Sequence, residues 1–288
     1  MDLILTVIPP PQEWDETKVE RKAFEIANIV KLLDLSYLNI PEVIEEKTRG
    51  QRSVPYRLKV DNAKFGKMIC SFTSDVIVIL DKVVPVMPKP DFQEWLETHA
   101  PDFQHLVLVG GESSKIQYPG YHPVEAAPHA KSYFDHLYGI TIFRRRNEVE
   151  RLIRKTQAGM EAFLSQIVFE ADTAESVLHA YWKRCEELGL TPSKVFISVA
   201  PVSRKKDLEF LKWLGVYIPP ETEAWLLEDE RKMERKSMDL IESLVQRFRT
   251  FEGPIGLNVE HVMYNNLQVA AYMIHRIKVM ETWNSTSH

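Results

Sequence analysis

Two acids, an amide and a run of guanidinium groups stand at comparable places in this chain, each just beyond a short β-prone stretch. They are Glu112 within GGESS, Glu260 beside His261, Gln166, and the consecutive Arg144, Arg145 and Arg146. Thr6, Asn39, Asp81 with Lys82, Ser113 with Ser114, and Ser203 with Arg204 occupy the same kind of position. Carboxyl, amide and cationic groups converging on one place suit the binding of a polar heterocycle and the transfer of protons or hydride to it.

Each group also has a plainer reading. Gly110-Gly111-Glu112 matches neither the dinucleotide pattern G-x-G-x-x-G nor the phosphate-loop pattern GxxxxGK[ST], so a nucleotide cradle is disfavoured there. Two readings stay open: a tight turn that presents Glu112 to a pocket, and a turn whose acid faces solvent. Glu260 is a candidate proton donor or a member of a rim ion pair, since buried acids usually find partners. The nine histidines form no HxH or HExxH pattern, and Cys70 and Cys185 form no CxxC pair, so neither a metal site nor a disulfide framework is expected.

The elements that must position these groups alternate along the chain. Strand-like runs fall at 3–8, 35–40, 76–80, 105–109, 139–143, 162–169, 194–202 and 254–262. Helical patterns fall at 13–33, 62–71, 91–100, 122–134, 148–157, 206–215 and 266–280, with another from Asp172 to a glycine cap at Gly189. Eight strands each followed by helix predict a single (β/α)8 barrel, with a doubly wound sheet as the alternative. In a barrel the polar groups just past the strands gather at one rim, which turns the strand list into a site list. The charged stretch 219–251 reads as a solvated helical insertion before the last strand, and Trp14, Trp95, Trp182 and Trp213 read as packing residues.

With 288 residues and 44% hydrophobic composition the chain can bury a large core, and one domain over residues 1–288 is the economical organisation. A net charge of −5 offers no global field for nucleic acid or an acidic membrane, and no apolar run approaches a membrane span. Two thiols without pairing and no signal-like start fit the cytoplasm.

Several pieces, in their order and spacing, resemble the methylenetetrahydrofolate reductases over nearly the whole chain. They are VIPPP at the first strand, LVGGE at the fourth, RKTQAG before FLSQIVFE, APVSRKKDLEFLKWLGVYIP, and GLNVEHV at the last strand. The resemblance implies a (β/α)8 barrel in which NADH or NADPH reduces the methylene group of folate, in that family usually through FAD. It implies that Gln166 contacts pterin and nicotinamide in turn, that Glu112 stands where the family has an aspartate, and that Lys155 and Glu148 match flavin-holding positions. Leu211 stands where a stacking phenylalanine is usual.

Two departures matter. The family's general acid, a glutamate at the first strand, is replaced by Thr6, so Glu260 is the expected substitute acid. The segment GITIFRRRNEVERLIRK reaches Lys155 quickly, and with IPEVIEE it resembles the compact flavin-independent branch, which argues against FAD. Arg144, Arg145 and Arg146 are then candidates to grip a phosphate or the glutamate tail of folate, with a solvated basic loop as the plain alternative. Ser203 completes the expected substrate-binding set. The competing reading is a folate-binding or methyl-transfer accessory barrel that has lost hydride transfer. The resemblance leaves open a homo-oligomer or a protein partner.

Overall fold

In the computed structural model, which describes residues 1–46, 50–113, 115–263 and 266–285, eight parallel strands close into a barrel in sequence order. The strands are β1 (Leu3–Val7), β2 (Tyr37–Ile40), β3 (Ile77–Val83), β4 (His105–Val109), β5 (His136–Thr141), β6 (Ala162–Ser165), β7 (Lys194–Val199) and β8 (Ile255–His261). The helices are α1 (Glu16–Leu32), α2 (Asn62–Cys70), α3 (Lys89–His99), α4 (Pro123–Ala130), α5 (Glu148–Gln157) and α6 (Asp172–Glu187). They continue as α7 (Lys205–Trp213), α8 (Pro220–Leu227), α9 (Met233–Arg249) and α10 (Leu267–Ser285). The barrel closes where β1 pairs with β8, and this register sets Thr6 opposite both Asn39 and Glu260.

Alternation along each strand sorts the side chains to two faces. Outward residues such as Leu5, Leu38, Leu80 and Leu106 join the helices in the main apolar core. Inward residues Ile4, Ile79, Val107, Tyr138, Leu164 and Phe196 form a separate apolar plug inside the barrel. Gly256 makes room for Phe196, because a Cβ there would come within 2.4 Å of its ring.

Strand ends differ from the sequence expectation in ways that move the site. β3 runs on to Val83 rather than stopping at residue 80, so Asp81 and Lys82 are strand residues, both buried. Lys82 survives burial because its ammonium donates to Glu42 at 2.6 Å. β6 ends at Ser165, short of the expected 169, and Gln166 keeps only a backbone link to β5 through Thr141 O at 2.7 Å.

The charged stretch is helical, as expected, but it is not simply solvated. α9 buries Met238, Ile241, Leu244, Val245 and Phe248 in the main core, because its apolar residues recur on one helical face while its charges occupy the other. The excursion from Ala200 to Met233 instead carries its own apolar cluster, in which Leu208, Leu211, Ile218 and Leu226 pack on Ile167 and Phe169. Leu211 therefore acts as a packing residue of this cluster. Among the tryptophans, Trp95 is buried in the core, and Trp14 and Trp182 pack against it partly buried.

Candidate functional site

At the carboxyl ends of the strands the barrel mouth is divided into two arcs. Ser198 on β7, Asn258 and Glu260 on β8, Thr6 on β1, Asn39 on β2 and Asp81 on β3 are polar and sit on consecutive strands. Val107 and Val109 on β4, Ile140 on β5 and Leu164 on β6 make the opposite arc apolar and belong to, or pack against, the inner plug.

The polar arc is one hydrogen-bonded chain. Thr6 Oγ1 donates to Asn258 Oδ1 at 2.8 Å. Asn258 Nδ2 donates to Ser198 Oγ at 2.9 Å and reaches Glu260 Oε1 at 3.4 Å. On the other side the Asn39 nitrogen, once turned, donates to Asp81 Oδ1 at 2.8 Å and to Ile79 O at 3.2 Å, while its oxygen lies 3.2 Å from Thr6 Oγ1 and shares the single Thr6 hydroxyl proton with Asn258 Oδ1. A threonine and two amides thus link two carboxyl groups across the closing seam of the barrel.

Both carboxyls are shifted toward the protonated form. Burial raises Glu260 to about 7, against a weaker opposing hydrogen bond from Ser198. Burial also raises Asp81 well above the ordinary carboxylate range, and the negative charges of Glu260 and Glu42 push the same way. An acid that changes state near neutral pH in a polar arc facing an apolar wall is suited to exchange a proton with a flat heterocycle, since Brønsted behaviour favours a pKa close to the working pH.

The structure gathers the expected residues into several groups. Thr6 and Glu260 are brought together through Asn258. Gln166 and Arg144 line one small cavity of about 60 Å³ with Glu170 and Tyr217. There the Gln166 amide donates to Leu214 O at 3.3 Å, and the Arg144 guanidinium stacks 3.7 Å over the Tyr217 ring and donates to Thr173 Oγ1 at 3.1 Å. Arg145 and Arg146 are exposed. Ser203 belongs to the start of α7, where its hydroxyl and its backbone N–H both donate to buried Asp207. Ser114 lies outside the described residues.

Glu112 follows β4, half-buried, on the side of the apolar arc. The adjacent Gly111 is required by packing, because a Cβ there would meet the Tyr118 ring at 2.5 Å, and Tyr118 accepts the Ser113 N–H at 3.2 Å. The two glycines therefore form a turn closed by an aromatic ring, and Glu112 is carried on that turn.

Lys155 and Glu148 meet at the end of β5. The buried Glu148 carboxylate accepts from Thr141 Oγ1 at 2.9 Å and Ile142 N at 3.1 Å, and the Lys155 ammonium donates to Ile140 O. Burial lowers Lys155 to about 8, partly offset by Glu148. Lys155 and one Glu148 oxygen tie α5 to β5, while the second Glu148 oxygen is buried without a hydrogen-bond partner. Among the described residues no group of three or more His, Cys, Asp or Glu could hold a metal ion, and no helix is long and apolar enough to cross a membrane.

Sequence reasoning passed over Asn258, Ser198 and Glu42. The first two were available from alternation, two residues before Glu260 and two after the inward Phe196; Glu42 carries no such signal, because its role depends on the unexpected length of β3.

No family model and no curated protein matches this chain. Among solved structures it is similar to an uncharacterised protein from Clostridium thermocellum that binds two copies of 5-methyl-5,6,7,8-tetrahydrofolic acid, with 20% identity, TM-score 0.78, and 97% of this chain and 96% of that one covered. It is also similar to a long-chain alkane monooxygenase, at 10% identity, TM-score 0.57 and coverage of 99% and 92%. A third is the oxygenating constituent of 3,6-diketocamphane monooxygenase from Pseudomonas putida in complex with FMN, at 9% identity, TM-score 0.56 and coverage of 96% and 97%. These likenesses show the barrel fold.

Proposed function

We propose that the barrel mouth binds a reduced folate and that the chain is an oxidoreductase of the methylenetetrahydrofolate reductase type, with Glu260 as its proton donor. The observation that carries this reading is Glu260 itself: a half-buried acid poised at about 7 and joined through Asn258 to Thr6, where the resembling family has its acid. Support comes also from the methyl-tetrahydrofolate bound by the structurally similar clostridial protein.

In this reading the flat face of the pterin packs on Val109, Ile140 and Leu164, and its polar edge meets Asp81 and Asn39, whose carboxyl and amide offer the paired acceptors and donors that a pterin edge requires. Protonated Glu260 hands its proton to the folate nitrogen as the imidazolidine ring opens, and water exclusion by the plug beneath keeps the acid from exchanging freely. A reduced nicotinamide, when bound, supplies the hydride. Lys155 and Glu148 are engaged elsewhere, so no step is assigned to a flavin.

The second reading, a folate-binding or methyl-transfer accessory barrel working with a partner protein, is favoured by Thr6, which has no proton to donate near neutral pH. The two are separated by following nicotinamide oxidation with methylene-folate. The reductase reading expects turnover that falls by about 10²- to 10⁴-fold in Glu260→Gln, the usual worth of a general acid, with folate affinity retained. Methyl-folate binding without any nicotinamide oxidation selects the accessory reading.

A further inference from the structure

Two consecutive residues at the end of α7 touch opposite sides of the barrel mouth. Leu214 O accepts from the Gln166 amide, at the end of β6, at 3.3 Å. Trp213 Nε1 donates to Gly50 O, beyond β2, at 3.4 Å. β2 and β6 stand four strands apart in the closed ring of eight and so face each other across it. The last turn of α7 therefore lies over the mouth, and residues 50–60 meet it from the far side.

That meeting is made chiefly by one side chain. The Arg52 guanidinium lies 4.9 Å from the centroid of the Trp213 ring, 5.1 Å from that of Phe210 and 5.5 Å from that of Tyr56. Phe210 and Trp213 are themselves stacked, with centroids 5.9 Å apart and planes 11° from parallel, and Phe210 is buried, so α7 presents a preformed aromatic wall. Tyr56 closes the box from the segment that carries Arg52, and its hydroxyl donates to Val43 O at 3.2 Å. The far end of the segment is fixed differently. Pro11 and Lys59 form an antiparallel bridge, with Gln12 N donating to Leu58 O at 2.8 Å and Val60 N to Pro10 O at 2.9 Å.

The two ends differ in how readily they let go. Paired backbone hydrogen bonds make the Pro11–Lys59 end a hinge. A guanidinium that leaves partly exposed rings passes into water, where it is well solvated, so the Arg52 end is the weaker one. We propose that Arg52 is a positioning residue that latches residues 50–60 to α7 over the mouth, and that the mouth opens to its ligand when the guanidinium leaves Phe210 and Trp213. While latched, the segment and α7 shield the polar arc from water; release admits the ligand. The latch itself needs no folate, and only the second measurement below rests on the folate reading.

Alkylation of the full chain by iodoacetamide, read thiol by thiol from peptide masses, tests it. Ser198→Cys places a thiol in the polar arc, and the exposed Cys70 and buried Cys185 serve as references for free access and for unfolding. With Arg52→Ala and, separately, Trp213→Leu, the thiol of Ser198→Cys should react about tenfold faster, the factor that a partly desolvated cation–π contact carries, while both references react as before. Arg52→Lys keeps a cation for the rings and should restore most of the protection. An unchanged rate in both variants, or a rise matched at Cys185, overturns the latch. In stopped-flow, release of 5-methyl-tetrahydrofolate should quicken by a similar factor in the same variants, with association quickened alike so that affinity changes little. Release that stays fixed while the thiol becomes accessible overturns the gating of the ligand. Failure to bind methyl-folate at all overturns the folate reading and leaves the thiol rates to decide the latch.

Discussion

Thr6 Oγ1 donates to Asn258 Oδ1 at 2.8 Å across the seam where β1 closes on β8. Both side chains are buried, at 5% and 1% exposure, so neither finds water in place of the other. The residue that replaces the expected acid therefore serves as a bridge: it fixes the Asn258 amide, whose nitrogen then points to Ser198 and Glu260.

Removing that hydroxyl should be costly in a way that its mere size is not. Thr6→Val keeps the volume but leaves Asn258 Oδ1 buried without its donor, a loss of about 1–3 kcal/mol, while Thr6→Ser should lose less than half as much because the donor is retained. Equilibrium urea unfolding of the two variants measures this, and equal losses would mean that packing, not the hydrogen bond, matters. Thr6→Glu would add a third carboxyl beside Asp81 and Glu260, so its destabilisation should outweigh any proton it supplies.

The raised Glu260 gives a pH dependence of definite sign. Its folded value of about 7 exceeds the ordinary 4.5, so between those values the folded state holds a proton that the unfolded state has released. Stability from this group is full below about pH 4.5, falls as pH rises toward 7 and is level above it; on the order of 3 kcal/mol is involved. Asp81 acts in the same direction. Glu260→Gln should thus be more stable than the unmodified protein at pH 8 and nearly equal to it at pH 4.5. Denaturation midpoints that differ equally at both pH values would show that Glu260 is not held as a neutral acid.

The barrel was legible because alternation of strand and helix is a local signal, and so was Glu260, which lies at the end of a strand readable from its own residues. The ring around it was only half legible. Asn39 and Asp81 stand out as polar residues beyond apolar runs, yet that they join Thr6 in one chain follows from barrel closure, which pairs strands more than 200 residues apart, as in β1 with β8. The place of Lys155 and Glu148 was hidden for the same reason: the resemblance marks them as flavin-holding positions, and only the fold shows that the end of β5 receives them. In the charged stretch 219–251 the charges masked a helix face that packs in the core.

A pair of side chains tied to β5 offers little to a flavin. Gently purified protein should show no stoichiometric absorbance in the flavin bands, and added FAD should bind no more tightly to the unmodified protein than to Lys155→Met. Lys155→Met should instead destabilise the chain by about 1–3 kcal/mol, since Ile140 O and the Glu148 carboxylate lose a charged partner. A yellow protein that loses its colour in Lys155→Met would reverse the assignment.

Glu42 bears on the site from outside the barrel. It accepts from the Lys82 ammonium and from Val83 N, both at 2.6 Å, and so fixes the last turn of β3 that carries Asp81. Lys82 is only 6% exposed at its side chain, so Glu42→Leu strands a buried cation and should destabilise by about 3–5 kcal/mol. The double variant with Lys82→Met should recover most of that loss, and a double-mutant cycle with no recovery would mean that the backbone link to Val83, not the ion pair, is what holds β3.

Glu112 is the residue on which two readings still make opposite predictions. If the turn at Gly110-Gly111 presents the acid to a bound pterin, Glu112→Gln replaces a charge-assisted contact worth roughly 1.5–3 kcal/mol, and folate affinity should fall about ten- to hundred-fold. If the turn exists only to seat Gly111 under Tyr118, the same change should leave affinity untouched, because the ring contact that shapes the turn is made at Gly111. Gly111→Ala supplies the contrast: a Cβ 2.5 Å from the Tyr118 ring must displace it, so that variant should lose stability under either reading. Calorimetric titration of Glu112→Gln with methyl-folate, beside the melting temperature of Gly111→Ala, separates the acid from its turn; we expect the first to bind weakly and the second to melt early.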